Sequence, residues 1–378
     1  MSVLPLLLPS QEFLRSDREE GVRSTLDELK RELDELRSFV ASITHMSEVV
    51  AMHAEPAIRQ LIPLRRRFDN AAFFVALYAS FESYIEKLAA ALASLEAQRL
   101  PYAELPQKLV NKHLQRSADL LARGRLGEGR HAGLTHAGVV SNLYNCLNGS
   151  TPYALNAAAV VWHDSNLRAK DVDDIFLPLG IESMCSQVRH GDALIQWHME
   201  IQGLPAAPAD GVPRTVIDER LNDLIERRNR VAHRGGNPED LFGAADMDEA
   251  IGFVYALSTD IFSIVVGYYL QSRHGLDSAA TRLKQVAGDG PYKNGKIVVV
   301  SPPDIHLSVG LPIFVSKASG AARWGRIQSL RLNDADHKTI ATGTSAPQGI
   351  GVRLDFSCSA SDSLVVLPGE DDLVWAPT

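Results

Sequence analysis

Cysteine is scarce: 378 residues contain three, Cys146, Cys185 and Cys358. They lie far apart and show none of the paired spacings that a zinc site or a disulfide framework needs. No cysteine-held zinc and no disulfide is expected on that ground, and a reducing, cytoplasmic setting fits; the expectation for the chain is no metal and no cofactor. Positive charge is also short, with 38 Lys and Arg against 46 Asp and Glu for a net charge of −8. That balance excludes a protein that coats nucleic acid nonspecifically, because affinity of that kind comes from many cationic contacts to phosphates. Any such site has to be local. No basic residue precedes the apolar run from Leu4 to Leu8, which is too short for a signal-peptide core. One stretch, Ile251 to Leu270, is long enough to cross a bilayer. Asp260 stands at its middle, where insertion costs about 3 kcal/mol, so a buried core helix and no membrane are expected.

What is present is helical periodicity. Residues 1–64 read as an N-terminal segment built on a long helix, in which Val22, Leu26, Leu29, Leu33, Leu36, Val40 and Ile43 recur at spacings of four and three. That is an a/d seam. It either pairs with a copy in a second chain, giving a structural dimer, or lies along the helical body; the second is favoured because globular helices usually pack that way.

Residues 65–275 read as the main helical domain. A helix from Asp69 to Gln98 carries Phe73, Phe74, Leu77, Tyr78, Phe81, Tyr84, Ile85 and Leu88 on a wide apolar face. Further helices are expected at about 106–123, 136–148, 169–179 and 182–199. The Gly- and Arg-rich loop from Arg123 to Gly138 lacks the Lys-Ser/Thr ending of a phosphate-binding loop. It reads as a surface loop, or as a basic contact loop.

Residues 276–295, with Gly288, Gly290, Pro291, Asn294 and Gly295, read as a linker. Short β-rich runs follow over 296–378, at Lys296–Val300, Pro312–Lys317, Trp324–Asn333, Ile350–Ser357 and Leu364–Leu367. They suit a small antiparallel barrel or sandwich without a cluster of catalytic residue types. The expected class is therefore mainly α, a helical bundle with a long N-terminal helix and a small β-rich domain behind it.

Chemistry concentrates in residues 215–235. Thr215 and Asp218 predict a capping box at a helix start, and Gly235-Gly236 followed by Pro238 predict its end. Glu226 to Arg234 then fill the last two turns. Residues four apart stand one above the other, so Asn229 can reach the ring of His233 and fix its orientation or tautomer. Arg228, five before His233, is turned roughly 140° away. Two copies meeting at a symmetric interface would bring both pairs into one groove, which makes a homodimer attractive. Arg227, Arg228, Arg230 and Arg234 form the most concentrated basic patch of an acidic chain and suit a phosphate backbone. A solvated, salt-bridged helix end, with Glu226 and Arg230 paired, explains the same charges.

Other candidates are weaker. His131 and His136 lack a third ligand at helical spacing, His163 and His190 read as surface or satisfied histidines, and no nucleophile-elbow motif supports Ser-His-Asp catalysis. Glu82, on the aromatic helix, reads as a carboxylate bonded to a core partner, or as a support to the site.

The run Arg228-Asn229-Arg230-Val231-Ala232-His233 resembles the R-x4-6-H pattern of HEPN domains. Phe74 to Tyr84, with Ser80-Phe81-Glu82 at its centre, resembles the "SFE" helix of the HEPN subgroup that includes the RiboL-PSP-HEPN and MAE_28990 families. Asn166-Leu167-Arg168 and the segment Ile175 to Ile181 resemble that subgroup's connecting region. Together these pieces cover about residues 65–270 in the expected order. The resemblance implies a HEPN-type bundle that dimerises and cuts RNA without a metal, leaving a 2′,3′-cyclic phosphate and a 5′-hydroxyl. In that reading His233 takes the 2′-OH proton or donates one to the leaving oxygen. Arg228 holds the scissile phosphate, Asn229 orients His233 or contacts phosphate, and Arg227, Arg230 and Arg234 bind RNA. The implied context is a toxin or antiviral defence effector with an antitoxin or defence partner. A noncatalytic scaffold that binds RNA or a partner protein through the same helix is the alternative.

Overall fold

The computed structural model describes residues 21–53, 55–60, 62–124, 126–234, 241–274, 281–301, 306–317, 321–341 and 349–367, with the side chains of residues 21, 23, 53, 57, 59, 130 and 231–234 outside that set. Helices α1 (Gly21–His53), α2 (Ile62–Arg99), α3 (Gln107–Arg123), α4 (His136–Leu147), α5 (Ala169–Phe176), α6 (Asp192–Gln202), α7 (Arg214–Arg234) and α8 (Ala244–His274) form the body. Short single-turn helices and loops join them.

The a/d seam of α1 is dry. Val22, Leu26, Leu29, Leu33, Leu36 and Val40 are buried in the same core as α2 and α8. Its own chain therefore covers the seam, which leaves no free stripe there for a structural dimer. The N-terminal helix is also part of the helical domain rather than a segment set apart from it. The next helix starts at Ile62, ahead of the expected Asp69, because Pro63 sits in its first turn, where a missing N–H goes unneeded.

Helix α8 threads the core: Ile251, Leu257, Ile261, Val265, Val266 and Leu270 are fully or almost fully buried by the rest of the chain. Long and apolar as it is, α8 is covered by protein, so no membrane insertion is indicated. Asp260 is satisfied within that core, accepting the backbone N–H of Leu194 at 2.8 Å and of Ala193 at 3.4 Å. It thereby caps α6. This explains why the helix expected over 182–199 breaks: Met184–Gln187 and Val188–His190 are short turns, and α6 begins only after Gly191. A Cβ at Gly191 would run into the Asp260 carboxylate.

The C-terminal strands are β1 (Thr281–Leu283), β2 (Ile297–Val300), β3 (Leu307–Ser308), β4 (Pro312–Ser316), β5 (Ala322–Leu332), β6 (Ala335–His337), β7 (Thr339–Ile340), β8 (Ile350–Leu354) and β9 (Ser363–Val366). They form an antiparallel sheet in the order β1-β9-β4-β5-β8-β2, with β6 beside β5 and β3 paired separately with β7. The sheet curls into half a barrel. Strand β5 makes the curl possible, pairing with β4 along its first half and β8 along its second across an irregularity between Ile327 and Ser329. The stretch expected to be a linker over 276–295 is corrected: Thr281–Leu283 is an edge strand on β9, and Tyr292 pairs with Ile297. Its glycines mark turns within the domain.

The sheet is docked on the helices. Phe314, Ala321, Val365 and Leu367 belong to the helical core, Ser263 donates to the Ala322 carbonyl at 2.6 Å, and Lys317 meets Asp192 at 2.8 Å. A cavity of about 500 Å³ lies along this seam, lined by Lys30, Asp260, Phe262, Arg323 and Trp324 among others.

Candidate active site

Helix α7 is held by Ile217, Leu221, Leu224 and Ile225, all buried. It starts at Arg214, so Thr215 lies inside the helix, and Asp218 receives the Arg214 Nε at 2.9 Å. An intrahelical ion pair stands where a capping box was expected.

The arginines of α7 face different surroundings. Arg227 donates from Nε to Asp223 at 2.8 Å, and its guanidinium lies 3.8 Å from the Phe242 ring centroid and 5.5 Å from that of Phe74. Sandwiched in this way, Arg227 packs α7 on α2. Arg228 is half-buried and differently occupied. Its guanidinium lies 5.2 Å from the centroid of Tyr78, and Nη1 donates to Asn229 Oδ1 at 3.0 Å and to Asn166 Oδ1 at 3.5 Å. Among the described residues no carboxylate lies within ion-pair distance of Arg228. Its partners are a ring face and two amide oxygens, which leave its full charge available for an anion. Arg230 is exposed.

Asn229 Oδ1 also accepts from Asn166 Nδ2 at 3.4 Å. Asn166 thus joins the helix end to the segment before α5, which a reading of α7 alone does not reveal. His233 and Arg234 belong to the last turn of α7, and their side chains lie outside the described residues.

Beneath Arg228 the wall is made by α2. Tyr78, 2% exposed, donates its hydroxyl to Glu82 at 3.0 Å and accepts the Leu167 N–H at 3.0 Å. Burial pushes the Tyr78 phenol far above its ordinary range, so it stays a protonated donor. Glu82 is half-buried and bonded, and it stands 3.8 Å from His163 Nε2. His163 Nε2 contacts Glu86 at 2.8 Å, and Nδ1 contacts the Ser165 carbonyl at 2.6 Å. The hydrogen bond to Glu86, ahead of the opposing effect of burial, raises the His163 pKa. As the sequence suggested, His163 is a satisfied histidine, but it is satisfied at the edge of this site.

Glu82, Glu86 and His163 bring ligand-type atoms within 4.8 Å of one another. Both ring nitrogens contact acceptors, however, an arrangement that favours the protonated ring, which has no lone pair to offer. The trio is an ion-paired cluster. Neither Tyr78 nor His163 stands at a helical spacing from Arg228, and only the fold brings them together. The signal for Tyr78 was its place beside Ser80-Phe81-Glu82; His163 had none.

The arrangement is a guanidinium held ready on an aromatic face, near the end of a helix that carries His233 five residues further on. Residues 27–267 match the family model described as RiboL-PSP-HEPN. No curated protein matches the chain.

Proposed function

The chain belongs to the RiboL-PSP-HEPN family of the HEPN superfamily, which points to an RNase or RNA-binding role, and from that premise we propose that it is a metal-independent endoribonuclease. The observation that carries the reading is Arg228, without a carboxylate partner among the described residues and five residues before His233 on α7. Arg228 grips the scissile phosphate and stabilises charge on its non-bridging oxygens. His233 takes the proton from the ribose 2′-OH, whose oxygen forms the new bond to phosphorus. The bond from phosphorus to the 5′-oxygen breaks, and that oxygen receives a proton from His233 of the partner subunit. The products are a 2′,3′-cyclic phosphate and a 5′-hydroxyl. The exposed Arg230, together with Arg234, holds flanking phosphates, while Arg227 keeps α7 in place.

The reading includes a homodimer, since Arg228 and His233 diverge by roughly 140° along one helix. A stripe on α2 supports it. Leu64, Phe68 and Val75 are 47%, 61% and 44% exposed, and Ala72 and Ala79 continue the same face toward Glu82. An apolar stripe that runs into the site fits a second copy of this chain, placed so that two α7 ends share one groove. The biological setting we assign is a cytoplasmic toxin or antiviral defence effector with an antitoxin or defence partner, the β domain controlling recognition or activation.

The test is incubation of the protein and its His233→Ala variant with mixed RNA and the matching DNA in EDTA. The expected outcome is RNA cut by the parent alone and DNA intact. Equal cutting by both proteins removes the assignment, and RNA bound but left whole by both identifies a scaffold.

A further inference from the structure

Residues 161–168 cross α2 without helix or strand, yet this segment delivers Asn166 to Arg228 and Asn229. Val161 and Leu167 bury their side chains in the helical core, and Arg168 donates to Asn222 of α7, so what remains to be set is how the stretch between them lies. At the far end Asp164 binds Arg116 of α3 at 3.0 Å, and Ser165 and the Arg168 N–H both bind Asp171 of α5. Against α2 it is held by the Leu167 N–H on Tyr78 and by His163 on Glu86. The His163 side chain is 8% exposed, and that of Glu86 is 24% exposed. A cation in such a place is held firmly, because little water competes for its partner.

We propose that His163 is a positioning residue for the phosphate grip: clamped as an imidazolium between Glu86 and the Ser165 carbonyl, it docks the 161–168 segment on α2 so that Asn166 holds Arg228 and Asn229 ready for RNA. The proposal rests on the endoribonuclease reading. It predicts a pH dependence with a definite sign. The groups that face the ring are Glu82 and Glu86 from α2 and Asp164 in its own segment, the last already paired with Arg116 of α3. The raised His163 pKa means that the clamp is complete below the ordinary histidine value of about 6.5 and is lost as pH rises through the higher folded value.

Two variants test this, His163→Gln and Glu86→Gln, each assayed from pH 5.5 to 9 on a mixed-sequence RNA oligonucleotide, with a thermal melt recorded at every pH. Rates are compared as ratios to the parent, which cancels the titration of His233. At acid pH, His163→Gln is expected to cut about 100-fold more slowly, the scale of a slightly misplaced catalytic contact, and the deficit shrinks toward alkaline pH as the parent loses its own clamp. Glu86→Gln moves the parent's alkaline decline to lower pH, a shift that a purely structural contact does not produce. If His163→Gln melts below the assay temperature, the Glu86→Gln shift decides alone. Superimposable profiles for the parent and a folded variant overturn the role of His163 while leaving the nuclease intact. A parent that cuts no RNA at any pH overturns the nuclease reading instead.

Discussion

At the scale of residues, two adjacent arginines do different work. Arg227 is spent on Asp223, Phe74 and Phe242, so Arg227→Ala is expected to destabilise the fold by about 1–2 kcal/mol through the lost cation–π and stem packing, measured by denaturant melts. Arg228 contributes charge toward a ligand, and Arg228→Ala is expected to lower kcat/KM on RNA by about 100-fold or more, the usual cost of removing one transition-state donor, with an almost unchanged melt. If the two variants exchange these phenotypes, the division is wrong. The sequence made Arg228, Asn229 and His233 legible as a group because they share one helix. It placed Arg227 with Arg230 and Arg234 as RNA-binding, since neither charge nor spacing tells an arginine stacked on Phe242 from one open to a phosphate. Asn166 was legible only as part of a family-like segment and His163 only as a surface or satisfied histidine: they lie more than sixty residues upstream, and only the docking of α2, α7 and the intervening segment brings them to Arg228.

Elements were most legible where periodicity was long. The α1 seam and the aromatic face of α2 read directly as buried stripes, and each of the five expected β-rich runs carries a strand, β2, β4, β5, β8 and β9. Short elements failed. Helix α6 starts at Asp192 because a side chain on a distant helix, Asp260, caps it, and β1 hid among the turn residues of an apparent linker. Leu33, fully buried in the α1 seam, anchors the longest stripe, so Leu33→Ala is expected to cost about 2–5 kcal/mol. Asp260 gives the core a pH signature. Burial raises its pKa to about 7, against the amide hydrogen bonds from Leu194 and Ala193 that lower it. The folded chain therefore keeps a proton that the unfolded chain sheds from about pH 4 upward, and this group's contribution to stability falls as pH rises from there to about 7. Asp260→Asn retains an acceptor for the Leu194 N–H and removes the titration. Melts of the variant should flatten across that window relative to the parent; parallel slopes would show that Asp260 ionises freely.

At the scale of the whole molecule, a helical body presents the end of α7 beside an exposed apolar stripe on α2, and a curled sheet is fixed to the first turn of α6 and the middle of α8 by Asp192, Ser263 and Phe262. If two copies complete the site across that stripe, Phe68→Glu is expected to yield monomers in light scattering and to lose RNA cleavage with the fold retained; a cutting monomer would remove the shared groove. The central claim is that an imidazole and a guanidinium of α7 direct a ribose hydroxyl at its own phosphate. Mass analysis of RNA fragments produced in EDTA tests it most directly. The account predicts 2′,3′-cyclic phosphate and 5′-hydroxyl termini that vanish with His233→Ala and with a 2′-deoxy sugar at the cut. Termini bearing 3′-hydroxyl and 5′-phosphate, or cutting that tolerates the missing 2′-hydroxyl, would contradict it.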